Sequence, residues 1–124
     1  MRNISVAITT DQIRNQTKTV TRRKGWDHVK VGDILQPVSK TMGLKKGEKP
    51  EPIGPPIKVI ASERQPLTRM TDEVGWGDEE ATKEGYPEMS GAEFVEHYLA
   101  NTKTAPDGTV RRIEFEYTEN IREA

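Results

Sequence analysis

The apolar residues of this chain come in short alternating runs rather than long blocks. Across residues 3–8, Ile4, Val6 and Ile8 fall on one side of an extended backbone, the pattern of a half-buried strand. Thr9 and Thr10 follow with hydroxyls suited to a helix N-cap, and Asp11 puts a negative charge where a first turn favours one. Together they predict a short helix over 11–17 anchored by Ile13. Residues 19–23 hold three β-branched side chains and predict extended chain. Turns are expected at Lys24-Gly25 and Val31-Gly32-Asp33. Strands are expected over 34–38 and 57–63, the second with Ile57, Val59 and Ala61 alternating.

Residues 39–56 have no apolar periodicity and carry four lysines among glycines and prolines. They predict a long basic surface loop, closed by Pro55-Pro56. Past Pro66 acidic residues dominate, and residues 71–85 predict one or two irregular helical turns broken by Gly75 and Gly77. Ser90 and Glu93 have capping-box spacing and open a helix to about residue 100. Its expected core stripe is Ala92, Val95 and Leu99, with Phe94 and Tyr98 beside them. Residues 110–117 predict a closing strand with Val110, Arg112, Glu114 and Glu116 opposite Arg111, Ile113, Phe115 and Tyr117. The order β-α-β-β-β-α-β implies one α+β domain: a curved mixed sheet or small barrel with short helices over its ends and a polar mouth.

Composition narrows the classes. At 124 residues a second core would be too small to hold itself together. Hydrophobic and charged residues are nearly balanced at 32% and 31%, and a net charge of −1 argues against wholesale disorder. The absence of cysteine removes disulfides, thiol nucleophiles and Cys-based zinc sites. No signal-peptide stretch or membrane span is visible, so a cytoplasmic protein without membrane contact is expected. The small net charge hides an asymmetry. Residues 1–70 hold 14 Lys/Arg against 6 Asp/Glu, and the remainder holds 5 against 14. Such halves pair with each other across the fold, or the basic one faces an anion.

The densest polar stretch is Thr17-Lys18-Thr19-Val20-Thr21-Arg22-Arg23. It reads either as a lysine-guarded edge strand or as one wall of a site. Thr19, Thr21 and Arg23 share one strand face, opposite Lys18, Val20 and Arg22. With Val20 inward, Thr21 and Arg23 turn to a cleft, which Lys18 reaches only if the chain bends before the strand. Elsewhere, Lys45 and Lys46 of the loop could meet phosphates or simply solubilise it. Trp76, between two glycines, and Trp26 could stack on a base or pack in the core. Glu93 and His97 have i, i+4 spacing but no third metal ligand in sight. His28 is expected in solvent, and Asp33 serves its turn.

Lys18-Thr19-Val20-Thr21-Arg22-Arg23 followed by Val31-Gly32-Asp33-Ile34-Leu35 resembles the signature of the ASCH family within the PUA-like superfamily. The similarity runs on through residues 57–66, Glu84-Gly85-Tyr86-Pro87-Glu88-Met89-Ser90 and the closing strand, leaving out the 39–56 loop. Size and the loop's Met42-Gly43-Leu44-Lys45-Lys46-Gly47 look most like the small ASCH proteins of phages and prophages. The resemblance implies a PUA-like mixed β-barrel and a partner that is RNA or a modified nucleoside. In one branch, small amidohydrolases deacetylate acetylcytidine, and matching positions carry their chemistry onto Lys18, Thr21 and Glu84. Glu79, Glu80 and Glu88 lie close enough in sequence to take the last place. Thr19, Arg22, Arg23, Lys45, Lys46 and Trp76 are the expected ligand-binding residues. No cofactor and no metal are implied.

The implied chemistry is physically coherent. A threonine hydroxyl attacks an amide only if a base takes its proton, and a lysine is a base only when neutral. Burial or nearby cations such as Arg22 and Arg23 depress its pKa, whereas a carboxylate raises it. Two readings therefore stand: a nucleobase-recognising domain that hydrolyses acetylated cytidine, and a non-catalytic RNA-binding module using the same cleft and the basic loop.

Overall fold

The computed structural model describes residues 2–118. Among them the chain runs β1 (Arg2–Ser5), α1 (Thr10–Arg14), β2 (Val20–Arg23), β3 (Ile34–Val38), β4 (Ile57–Pro66), α2 (Arg69–Asp72), α3 (Val74–Lys83), α4 (Gly91–Asn101) and β5 (Thr109–Tyr117). The five strands form one mixed sheet in the order β1-β3-β4-β5-β2. Only β1 and β3 are parallel; the other neighbours are antiparallel. No helix among the described residues is long and apolar enough to cross a membrane.

The expected barrel is not closed: β1 and β2 remain at opposite edges of the sheet. They are tied at one end by a side chain, since Arg23 Nη2 donates to the Ser5 carbonyl. Curvature brings the edges close without a shared ladder. A side-chain cavity occupies the ground that closure would have used.

Two apolar clusters hold the domain. Ile4, Val6, Ile13, Val29, Leu35, Ile53, Ile57, Val59, Ile113, Phe115 and Tyr117 form one on the sheet. Leu67, Met70, Ala81, Tyr86, Phe94, Tyr98 and Val110 form the other, among the helices. Ile4 and Val6 are buried as their alternation implies, but Ile8 is exposed. The strand stops at Ser5 and the chain turns, with Thr9 N–H donating to the Val6 carbonyl at 3.0 Å. Thr9 is the N-cap of α1 but makes no side-chain cap, while the Thr10 hydroxyl donates to the Val6 carbonyl at 3.0 Å. The turn at Asp33 forms as read, the carboxylate accepting from Lys30 N–H at 2.9 Å.

β4 outruns its expected end, and a register shift between Val59 and Ala61 leaves Ile60 exposed. The basic loop follows no regular element, yet it is anchored. Val38 bridges to Pro52, and Ile53 is buried.

The helices depart most from expectation. Gly75 and Gly77 lie inside α3 rather than breaking it. A Cβ at Gly77 would sit 1.9 Å from the Met70 carbonyl oxygen, so this glycine lets α3 approach the end of α2. Gly91 meets the same oxygen, at 2.3 Å from a notional Cβ. In α4 the capping box of Ser90 and Glu93 is complete, but the buried stripe is Gly91, Phe94 and Tyr98. Val95 and Leu99 are half-buried and Ala92 is exposed. Both stripes have helical spacing, one residue apart, and the one with aromatic area faces inward.

Candidate functional site

Residues on both edge strands, the turn before α4 and α4 itself enclose a cavity of about 440 Å³. Residues 5–9 form one wall, and Lys18, Thr21 and Arg23 another. Tyr86, Phe94, His97 and Tyr98 cover it, and Trp26 closes a corner. Its size falls within the range of small-molecule sites. Ile8 is exposed because it borders this space.

The strand register explains how Thr21 and Arg22 part company. Antiparallel pairing sets Thr21 opposite Ile113 and Arg22 opposite Arg112. Directly opposed residues share a face. Thr21 therefore lies with Ile113 of the sheet cluster, while Arg22 and Arg112 both point to α3 and grip Glu80.

Lys18 enters from the bend before β2 and is only 3% exposed. Its backbone is clamped. The carbonyl accepts from the Tyr117 hydroxyl at 2.6 Å, and next door Thr19 N–H donates to the Lys83 carbonyl at 2.8 Å. Its Nζ donates at 2.9 Å to both the side chain and the backbone carbonyl of Glu84. The other Glu84 oxygen accepts from Arg22 Nη1 at 3.0 Å. Glu84 is thus a buried bridge between two cations, not a solvated member of the acidic run.

Gly85 makes this approach possible. Its φ is +101°, and a Cβ there would lie 2.7 Å from Gln12 Cγ and 3.5 Å from Lys18 Cβ. A side chain at this position would push apart the two segments that bring the amine and the carboxylate together.

Electrostatics sharpen the picture. Burial pulls the Lys18 amine below its ordinary pKa, and the Arg23 and Arg22 charges act in the same direction; Glu84 opposes them without prevailing. Burial also lowers Arg23, which nevertheless stays charged as arginines do. Arg23 Nε donates to the Thr21 hydroxyl oxygen at 3.3 Å, leaving the hydroxyl proton free for another acceptor. Behind this layer, burial alone would raise the Glu80 carboxyl. Hydrogen bonds from Arg112 and Arg22 overcome that and hold it down to about 2.

The cavity brings together Lys18, Thr21, Arg22, Arg23, Trp26, Glu84 and His97 of the residues singled out in the sequence. Thr19, Lys45, Lys46 and Trp76 are not among its lining residues. Thr19 serves through its backbone, and Lys45 and Lys46 are exposed on the loop. Trp76 packs against the helical cluster beneath Arg69 and Arg22, whose guanidinium carbons lie 4.0 and 5.5 Å from its ring centre. Glu93 is engaged in its cap, so it does not pair with His97, which turns to Tyr86 instead. Sequence reasoning missed Tyr86 and Asn101 as lining residues and considered His97 only with Glu93. The available signal was the i, i+4 pair of His97 and Asn101 and the two-residue step from Glu84 to Tyr86 across a glycine.

Fold and site together define a small α+β domain with a cationic, partly aromatic cavity beside an open sheet edge. Among solved structures it is similar to the crystal structure of protein EF3133 from Enterococcus faecalis V583, of the family designated DUF984. The identity is 20%, over 87% of this chain and 68% of that one, with a TM-score of 0.46. No family model matches the chain, and no curated protein matches it.

Proposed function

We propose that this is an ASCH-type domain that takes a modified nucleoside into its cavity and hydrolyses an amide on the base, with N4-acetylated cytidine as the substrate class. The observation that carries the reading is the Lys18 amine, buried on the same cavity as the Thr21 hydroxyl and held below its ordinary pKa. A lysine serving only as a surface charge or an anion anchor has no need of such burial.

In this reading Thr21 Oγ attacks the acetyl carbon while neutral Lys18 takes its proton. The Arg23 guanidinium, already beside the hydroxyl, faces the negative charge that develops on the acyl oxygen. Glu84 is a positioning residue. It fixes the lysine amine through its side chain and its own carbonyl, and Arg22 neutralises the rest of its charge. Trp26, Tyr86 and Phe94 supply apolar faces for the pyrimidine. The cavity suits a single nucleoside, and the lysines of the basic loop lie outside it. For that reason the hydrolase is preferred over the non-catalytic RNA-binding module.

The test is release of cytidine from N4-acetylcytidine. Thr21→Val keeps shape and loses the hydroxyl, and turnover should fall at least ~10³-fold, with an unfolding midpoint close to that of the wild type. Turnover surviving in the Thr21→Val chain would remove Thr21 as nucleophile. No turnover by the wild type would end the enzymatic reading.

A further inference from the structure

Acylation moves one proton from Thr21 to the expelled amine; Lys18 takes it from the hydroxyl, and the scheme above names no donor at the leaving nitrogen. The cavity lining holds a candidate donor. His97 Nε2 lies 3.1 Å from the Tyr86 hydroxyl, and both residues line the cavity. The Asn101 amide nitrogen, which can only donate, lies 2.8 Å from the His97 carbonyl and 3.4 Å from His97 Nδ1.

These contacts set a direction. With Nδ1 facing a donor, the neutral imidazole carries its hydrogen on Nε2 and donates it to the tyrosine oxygen. The Tyr86 proton is then free to point elsewhere. Among the described residues no hydrogen bond accepts it. The ring itself is pinned, with His97 edge-on at 4.8 Å and Phe94 at 6.0 Å between centres. Gly85 connects this tyrosine to Glu84, so both reach the cavity from the same turn.

We infer that Tyr86 is the acid that protonates the leaving nitrogen, positioned by His97 and Asn101; this rests on the hydrolase reading. In acylation the Thr21 Oγ–acyl bond forms and the acyl–nitrogen bond breaks. The threonine proton goes to Lys18 and the Tyr86 proton to the nitrogen. In deacylation water attacks the acyl carbon and gives its proton to the Tyr86 phenolate, while Lys18 returns its proton to the departing Thr21 oxygen. Acetic acid leaves, and every group is restored. Burial, reinforced by Glu84 and Glu88, pushes the Tyr86 hydroxyl above its ordinary pKa, so the resting side chain is a phenol.

The experiment compares N4-acetylcytidine with p-nitrophenyl acetate, whose leaving group departs without a proton. Tyr86→Phe should lower kcat on the amide by about 10²- to 10⁴-fold with little change in KM, and the loss on the ester should be far smaller. His97→Gln retains a side-chain amide donor and should keep more amide turnover than His97→Leu. Equal losses of Tyr86→Phe on both compounds, or none on the amide, would overturn the assignment of Tyr86 alone. Failure of the wild type to release cytidine would overturn the hydrolase reading and this assignment with it.

Discussion

At the scale of single residues, the site turns on how an amine can be buried and still be useful. Taking a lysine out of water disfavours its charged form, and a carboxylate at 2.9 Å favours it. Here burial and two arginines outweigh Glu84, so the folded-state value lies below the ordinary 10.5. Between that lowered value and 10.5 the unfolded chain binds the extra proton, and stability rises with pH across the window. In the proposed reaction kcat/KM rises with pH as Lys18 deprotonates. Glu84→Gln removes the one group that raises the amine's pKa, so the rising limb should move to lower pH. A pH–rate profile checks this, and an unmoved limb would assign the limb to another group. The residue types at 18, 21 and 84 are visible in the sequence, but the sign of the Lys18 shift is not. It depends on how deeply the fold buries the amine, and that burial outweighs the carboxylate Glu84 to which the resemblance points.

At the scale of elements, strands were more legible than helices. β3 lies over the residues expected, and β2 and β5 within a residue of theirs; in β5, burial alternates from Ile113 to Tyr117 with the strand period of two. Helix α4 offered two stripes of equal spacing, and only packing chose between 92/95/99 and 91/94/98. Helix α3 was obscured by Gly75 and Gly77, of which only Gly77 has a close contact that offsets its helix-weakening effect. The two glycines should therefore respond oppositely to substitution. Gly75 has nothing within 4 Å of a notional Cβ, so Gly75→Ala should stabilise by up to ~1 kcal/mol. Gly77→Ala gains the same propensity but drives a methyl into the Met70 carbonyl. Overpacking costs ~1–3 kcal/mol, and backbone cannot swing aside, so the net effect should be destabilising. Urea unfolding of the two variants measures both, and equal effects would contradict the packing argument.

At the scale of the whole molecule, part of the charge asymmetry resolves inside the fold. Lys18 and Arg22 from the basic half meet Glu80 and Glu84 from the acidic half, with Arg112 completing the cluster. Replacing one member of a buried ion pair leaves an uncompensated charge and costs more than the pair contributes. The cluster also gives the protein an acid limit. Glu80 titrates near 4.5 when unfolded and about 2 when folded, so the unfolded chain takes up the proton first. The stability Glu80 contributes is intact above about 4.5 and is lost as pH falls toward about 2. Unfolding midpoints in that interval should fall steeply in the wild type and more gently in Glu80→Gln. Parallel slopes would place the acid sensitivity elsewhere.

By itself the sequence determined the α+β class, three of the strands to within a residue, the capping box of α4 and the stretch that carries Lys18 and Thr21. These follow from local period and residue chemistry, which short-range sterics and hydrogen bonding translate directly. Only tertiary structure decided that the sheet stays open, that Glu84 rather than a neighbour meets the lysine, and that Tyr86, His97 and Asn101 line the same cavity. Each of these depends on segments distant in the chain approaching one another. Residue pattern encodes such approach weakly, because many packings bury the same side chains.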